Sequence, residues 1–337
     1  MTSESMTACL LGGALGDTLG LPFEGLSARR IARLTKGKPL RQRLLPGAGM
    51  VSDDTEHAVM TLLSLRESGN DPVKFGRLLA RRLRWWFAGV PAGIGLATAK
   101  SIIRLWFGVN PARSGVYSAG NGPLMRAAVI GVQFAEDETS RNLFCDVSTR
   151  ITHSDPRASE CARIIAEAAA FSCSSQGDIQ SRLTHLAESE EMRERFANLF
   201  DSLGKGSSVN EFADRISRRQ GFVSGFAPDT AAVALYAWLR HRGDFRATLE
   251  AVIHAGGDTD TVAFVAGSLA GIDAGETGLP DEWLEGIRDW PISATSLKAV
   301  GHGVAFRCPA WPLSWLRNGF FLAVILLHAF RRMLPPY

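Results

Sequence analysis

Leu11-Gly-Gly-Ala-Leu-Gly-Asp-Thr-Leu-Gly-Leu-Pro-Phe-Glu24 is the stretch from which the fold class can be read. No strand-like run precedes it and it contains no GxGxxG, which excludes a dinucleotide-binding turn. Glycines at 13, 16 and 20 predict a helix packed closely on another, with Asp17 turned inward. The Leu21-Pro22 break then leaves Glu24 on a loop. Small-residue runs at Ala158–Ala170, Ala231–Leu239 and Val262–Ala270 are strong helix formers that also let neighbours approach closely. Val59, Leu62, Leu63 and Arg66 follow a helical rhythm, and the spacing of Leu78, Leu79, Leu83, Trp86 and Phe87 predicts a helix over Val73–Phe87. Pro123 fits the first position of a further helix running to Phe134. Alternating stretches of strand length are hard to find, so the expected fold is all-α and compact.

The whole chain sets the limits. Its 337 residues carry 37 Lys+Arg against 34 Asp+Glu, a formal charge of +3. The basic residues are spread out, apart from a cluster at Arg77, Arg81, Arg82 and Arg84, and nucleic acid is not an expected partner. Five widely spaced cysteines (Cys9, Cys145, Cys161, Cys173, Cys308) without a CxxC argue against a disulfide scaffold and fit a reducing cytoplasm. The opening residues lack the basic start of a secretory leader. One domain is expected over 1–304, followed by a hydrophobic tail over 305–337.

That tail contains eight unbroken apolar residues, Phe320–Leu327, followed by Arg331-Arg332. Eight are too few to cross a bilayer, which needs about 20. Extending back to Leu313 reaches the length but admits Arg317 and Asn318. Three readings stand: a helix packed on the body, a peripheral amphipathic anchor using Trp311 and Trp315, or a true span.

Two acidic clusters carry the chemistry. Ser52-Asp53-Asp54-Thr55-Glu56 and Gly256-Gly257-Asp258-Thr259-Asp260-Thr261 each stand immediately before an apolar helical run. Alone, either could be a helix cap: Asp53 with Glu56 resembles a capping box, and Asp258 could cap its own helix. Together they exceed what capping needs, because a second buried acid is costly unless something positive balances it. Asp258 and Asp260 would diverge in mid-helix but can converge where a glycine-led loop enters one. Four carboxylates with the hydroxyls of Ser52 and Thr261 make an all-oxygen set suited to Mg²⁺ or Mn²⁺, and neighbouring acids could hold two ions.

SDDT at 52–55, GGDTDT at 256–261, GALGDTLG…E at 13–24, GNGPLMR at 120–126 and THSDP at 152–156, taken together, resemble the ADP-ribosylglycohydrolase family over roughly residues 6–304. The resemblance implies an orthogonal all-α fold with a binuclear Mg²⁺ or Mn²⁺ site. It implies metal ligation by Ser52, Asp53, Asp54, Asp258, Asp260 and Thr261, with Ser52 in place of a common threonine. It places Glu24 beside the metals, and Glu24, Asp54 or Asp258 as the acceptor of a proton from water. Ser118, Gly120, Asn121 and Gly122 match a glycine-rich loop that follows a diphosphate, His153 matches a histidine beside that ligand, and Tyr117 is a candidate adenine neighbour. The implied substrates are ADP-ribosylated proteins or small molecules containing ADP-ribose, with arginine the first choice of acceptor. A protein that binds ADP-ribose without turnover, or blocks a transferase, is the alternative, although all four aspartates and Glu24 are present.

Overall fold

The structure is a computed structural model that describes residues 2–174, 177–306 and 311–332. Among them are seventeen α-helices and a single ladder of two-residue strands. The helices expected from periodicity are present as Asp53–Ser68, Pro72–Ala88, Leu124–Gln133, Pro156–Ser174, Ala227–Arg240 and Thr259–Ala274. The four described cysteines are unpaired, with Cys9, Cys145 and Cys161 buried; Cys308 lies outside the described residues.

At the centre, the first helix, Thr2–Gly20, lies antiparallel to Thr259–Ala274 at backbone contact. A methyl placed on Gly12 would stand 2.2 Å from the carbonyl oxygen of Gly267, on Gly16 1.9 Å from that of Ala263, and on Gly20 2.4 Å from that of Thr259. Small residues recur every fourth position on both helices, so one face of each is a smooth groove. The stripe runs through Gly12, Gly16 and Gly20; Gly13, which the sequence reading placed in it, packs instead against the side chains of Phe264 and Ser268. Ser3–Phe23 is long and apolar enough to cross a membrane, but its most apolar stretch is wholly buried here, as the core of the fold.

The two-stranded ladder was not legible in the sequence. Leu26–Ser27 pairs antiparallel with Gly256–Gly257, and the amide of Gly25 donates to Gly257 O at 2.8 Å. Gly256 and Gly257 have φ of +74° and +91°, and a Cβ on Gly257 would sit 1.9 Å from the carbonyl oxygen of Val223. Three backbone segments therefore meet where only glycine fits. Glu24 and Asp258 are carried to the same spot by this crossing.

The C-terminal helix, Trp311–Arg331, packs along the body through Phe321 and Val324, which join Leu21, Leu44 and Met50 in a satellite core. The packed-helix reading of the tail is thus borne out for its inward face.

Gly16→Ala should force the central helices apart and cost about 1–3 kcal/mol in chemical unfolding, despite alanine's better helix propensity. Gly204→Ala, at a helix end with nothing within 4 Å of the added methyl, should be neutral or slightly stabilising.

Candidate active site

Asp17 organises the site from below. Its Oδ2 accepts from the amide of Ser52 at 2.9 Å and from Thr55 Oγ1 at 2.5 Å, so the first helix fixes the start of Asp53–Ser68. That start is capped by Ser52, whose hydroxyl accepts from the Asp54 amide at 3.2 Å. The capping-box reading of Asp53 and Glu56 is therefore wrong: Glu56 instead accepts from Trp86 Nε1 at 2.6 Å and pairs with Arg317 at 3.2 Å. Asp258 occupies the cap position of its helix but caps nothing there; its Oδ2 accepts from Asn121 Nδ2 at 2.8 Å. Freed from capping, the acids are available for something else.

The two acidic clusters meet. Thr261 Oγ1 donates to Asp54 Oδ2 at 3.1 Å, joining residues 207 positions apart. Burial and then mutual repulsion raise the proton affinity of Asp53, Asp54 and Asp260. Asp54 is pushed well above the ordinary range by burial and by Asp53, Asp17 and Asp258. Asp53 is raised by burial, Glu56, Asp17 and Glu24, and Asp260 by burial, Glu24, Asp258 and Asp54. Glu24, at the exposed mouth of the cluster, is raised by its surroundings and by Asp258, with Arg332 acting the other way. The cations that reach this region act at its edge: Arg317 pairs with Glu56, and Arg332 draws Glu24 down.

Whether a divalent ion fits can be tested on two features. Asp54 Oδ1 and Asp17 Oδ1 are buried with no hydrogen-bond partner, an unusual cost for carboxylate oxygens. The donors are carboxylate and hydroxyl oxygens, the chemistry of Mg²⁺ or Mn²⁺. Among the described residues no three acid, histidine or cysteine side chains close around one point as placed. The acids share a field rather than a finished cage, and the donor set fits the ion.

The glycine loop lies beside them. The amides of Val116 and Ser154 pair with Thr152 O and Val116 O, zipping the loop to the His153 segment. A Cβ on Gly122 would stand 2.9 Å from His153 Cε1, so the ring lies directly against this loop. In the Gly120–Gly122 stretch of this loop, matched above to one that follows a diphosphate, Gly120 N–H donates to Ser118 Oγ and Asn121 N–H to Gly225 O. Two of the three amides are thus engaged in shaping the loop. His153 is buried, and burial with the nearby Arg126 lowers it to about 3, so it faces the loop as a neutral ring with one N–H. Tyr117 is 78% exposed, neither core nor half-buried, and is free to cover a flat ligand. Asp155 of the THSDP segment is structural: it accepts from the amide of Arg157 at 3.0 Å and pairs with its side chain at 2.7 Å.

Several contributors escaped the sequence reading. Buried Arg126 reaches His57 Nδ1 at 3.2 Å and Thr152 Oγ1 at 2.8 Å, tying the acidic helix to the histidine segment. The terminal helix grips the segment leading into Asp53–Ser68 and the Glu24 loop. Arg317 donates to Val51 O at 2.7 Å and pairs with Asp289 and Glu56. Arg332 donates to Glu24 O at 2.8 Å and also to Pro22 O. The arginine of the GNGPLMR run was a visible signal; Arg317 was noticed only as an interruption of an apolar run.

A sequence profile of the ADP-ribosylglycohydrolase family matches residues 2–307. An uncharacterised protein of Archaeoglobus fulgidus is 31% identical over 85% of this chain and 92% of its own length. ADP-ribosylhydrolase ARH3 of Gallus gallus is 28% identical, covering 82% of this chain and 86% of its own. ADP-ribosylarginine hydrolase Tri1 of Pseudomonas putida is 27% identical, covering 82% and 72%. A solved ADP-ribosylglycohydrolase-related protein complex superposes with a TM-score of 0.67 at 26% identity, over 89% of this chain and 96% of that one.

The raised carboxyls give the ion-free protein an inverted pH response. A carboxyl that binds its proton more tightly when folded contributes stability below its unfolded pKa near 3.8 and loses it as pH rises through its folded value. Asp17, pushed up to about 6 by burial, sets a window from about pH 4 to just above 6, and its neighbours extend it upward. In a chelator, thermal midpoints should fall from about pH 5 to 7.5, and less steeply in Asp54→Asn. Magnesium should restore the wild type more than the variant. A flat wild-type profile would remove the account.

Arg317→Leu should cost about 3–5 kcal/mol in urea unfolding, because two buried carboxylates lose their cation. Adding Asp289→Leu should recover part of that loss.

Proposed function

The chain belongs to the ADP-ribosylglycohydrolase family, hydrolases of glycosidic bonds, and from that premise we propose that it releases ADP-ribose from a modified protein side chain, arginine being the first choice. The observation that carries the proposal is the meeting of the two acidic clusters through Thr261 and Asp54, with Glu24 and Asp258 brought alongside by the strand crossing. Ser52, Asp53, Asp54, Asp258, Asp260 and Thr261 would hold two Mg²⁺ or Mn²⁺ ions, which supply Lewis acidity toward a bound water and the ribose hydroxyls.

The chain's own residues do the rest. Glu24 stands on a loop at the open side of the cluster, where substrate arrives, and its raised proton affinity suits a group that takes a proton from water. Asn121 holds Asp258 through one amide hydrogen bond while its backbone is tied to Gly225, so the acid keeps its direction as charge develops on the sugar. Neutral His153, whose Nδ1 lies 2.9 Å from Thr152 Oγ1, sets its ring against the loop without adding a positive charge beside a diphosphate. Pro123 at the head of Leu124–Gln133 points a helix start toward the same loop, where an anion is favoured.

Arginine as acceptor is supported by the acidic mouth of the site, which attracts a guanidinium, and by the similarity to an enzyme named for ADP-ribosylarginine. Serine-linked ADP-ribose is the competing substrate. Incubation with arginine- and serine-linked ADP-ribosyl peptides in magnesium should release ADP-ribose, faster from the arginine peptide. Glu24→Gln should lower kcat by roughly 10²–10⁴-fold. Asp258→Ala should abolish both turnover and the thermal shift given by magnesium with ADP-ribose. Absence of release from either peptide at any magnesium or manganese concentration would sink the catalytic reading.

A further inference from the structure

The helix Trp311–Arg331 is amphipathic in the wrong sense for a protein surface. Between Leu313 and Phe330 its only polar side chains are Ser314, Arg317, Asn318 and His328, and all four turn toward the body. Arg317 meets Glu56 and Asp289, Asn318 donates to Gly89 O at 2.8 Å, and His328 bonds Pro22 O at 3.0 Å. At 100° per residue these positions share one face with Phe321 and Val324. Every residue on the remaining arc is apolar or glycine, and Leu316, Phe320, Leu327 and Phe330 are each more than half exposed. A surface helix in water shows the opposite pattern. Leaving so much contiguous apolar area in water is what marks an interaction face.

Charge says what covers it. Between Glu24 and Asp53 the chain has no acidic residue, yet it places seven arginines and lysines between Arg29 and Arg43. This basic segment abuts the end of the helix: Arg30 donates to the carbonyl of Arg332 at 2.5 Å, and Arg43 lies 5.1 Å over the Phe23 ring. Arg331 and Arg332 add to the same end. Trp315 and Trp290 are both about half exposed, and a trough of about 690 Å³ lined by Trp290, Leu313, Leu316 and Phe320 continues the apolar face. An apolar stripe with tryptophans at its border and cations at one end matches an acyl layer under anionic headgroups.

We propose that this helix docks the protein on an anionic membrane surface, lying in the interface with its outward arc among the acyl chains. It does not cross the bilayer, because crossing would pull Arg317 out of its buried pairs with Glu56 and Asp289. The docking holds the Glu24 loop, which His328 and Arg332 grip, at a fixed relation to the lipid surface. A substrate reached in this way is anchored at or beside the membrane.

The full chain should cosediment with vesicles of phosphatidylcholine containing about a quarter phosphatidylglycerol, less with phosphatidylcholine alone, and less as salt rises. Leu316→Ser, Leu327→Ser and Phe330→Ser combined should lower the partition coefficient at least about tenfold while the thermal midpoint holds or rises, since these side chains already face water. Arg29→Glu with Arg33→Glu, both on the exposed basic segment, should remove the preference for phosphatidylglycerol. The proposal is overturned if the chain sediments with neither vesicle, or if the triple serine variant binds as the wild type does. It is equally overturned if the wild type runs as a dimer without lipid and the serine variant as a monomer, because a second copy then covers the face.

Discussion

Two helices touching backbone to backbone fix everything else in this molecule. With Gly12, Gly16 and Gly20 set against Gly267, Ala263 and Thr259, the axes approach as closely as main-chain atoms allow. That contact brings the N-terminal Asp17 and the C-terminal acidic cluster within one field, although they lie some 240 positions apart in the chain. Side chains of ordinary size would leave the acids on separate surfaces of separate helices. The glycines are what make a shared site geometrically available.

Close approach has an electrostatic consequence. Asp53, Asp54, Asp260 and Glu24 are each harder to ionise than a free carboxyl, through burial first and then through acidic neighbours, with Arg332 offsetting part of this at Glu24, and burial alone does the same to Asp17. Such an arrangement destabilises the fold near neutral pH unless positive charge is supplied from outside. The two orphaned carboxylate oxygens of Asp17 and Asp54 express the same tension in hydrogen-bond terms. A purely structural role explains neither feature, since capping engages only Ser52 and leaves the acids without work.

The sequence carried much of this, and unevenly. Helices announced themselves by period and small-residue runs, and the two acidic clusters by excess over what caps require. The tight helix pairing was legible in Gly16 and Gly20, but which of Gly12 and Gly13 joined it depended on the rotation of the partner helix. The Leu26–Ser27 crossing on Gly256–Gly257 was invisible because two-residue strands have no period to detect. Asn121 and Arg126 both stand in the GNGPLMR run, but that one holds Asp258 and the other reaches His57 are tertiary contacts no spacing reveals. The glycine loop misled in one respect: its amides looked available, yet two of them are engaged in holding the loop's own shape.

The terminal helix shows how a single charged residue can settle an ambiguous segment. Arg317 weakens the reading of Leu313–Arg331 as a span by sequence alone, but its position is more informative than its presence. It sits where the helix passes Val51, one residue before the Ser52 cap, and it neutralises Glu56, whose charge would otherwise add to that on Asp53. One guanidinium therefore orients the helix on the body, turns its apolar arc outward and trims the repulsion at the start of Asp53–Ser68. Because His328 and Arg332 make a second attachment at the Pro22–Glu24 loop, the helix is tied near its two ends to the segments that carry Asp53–Glu56 and Glu24.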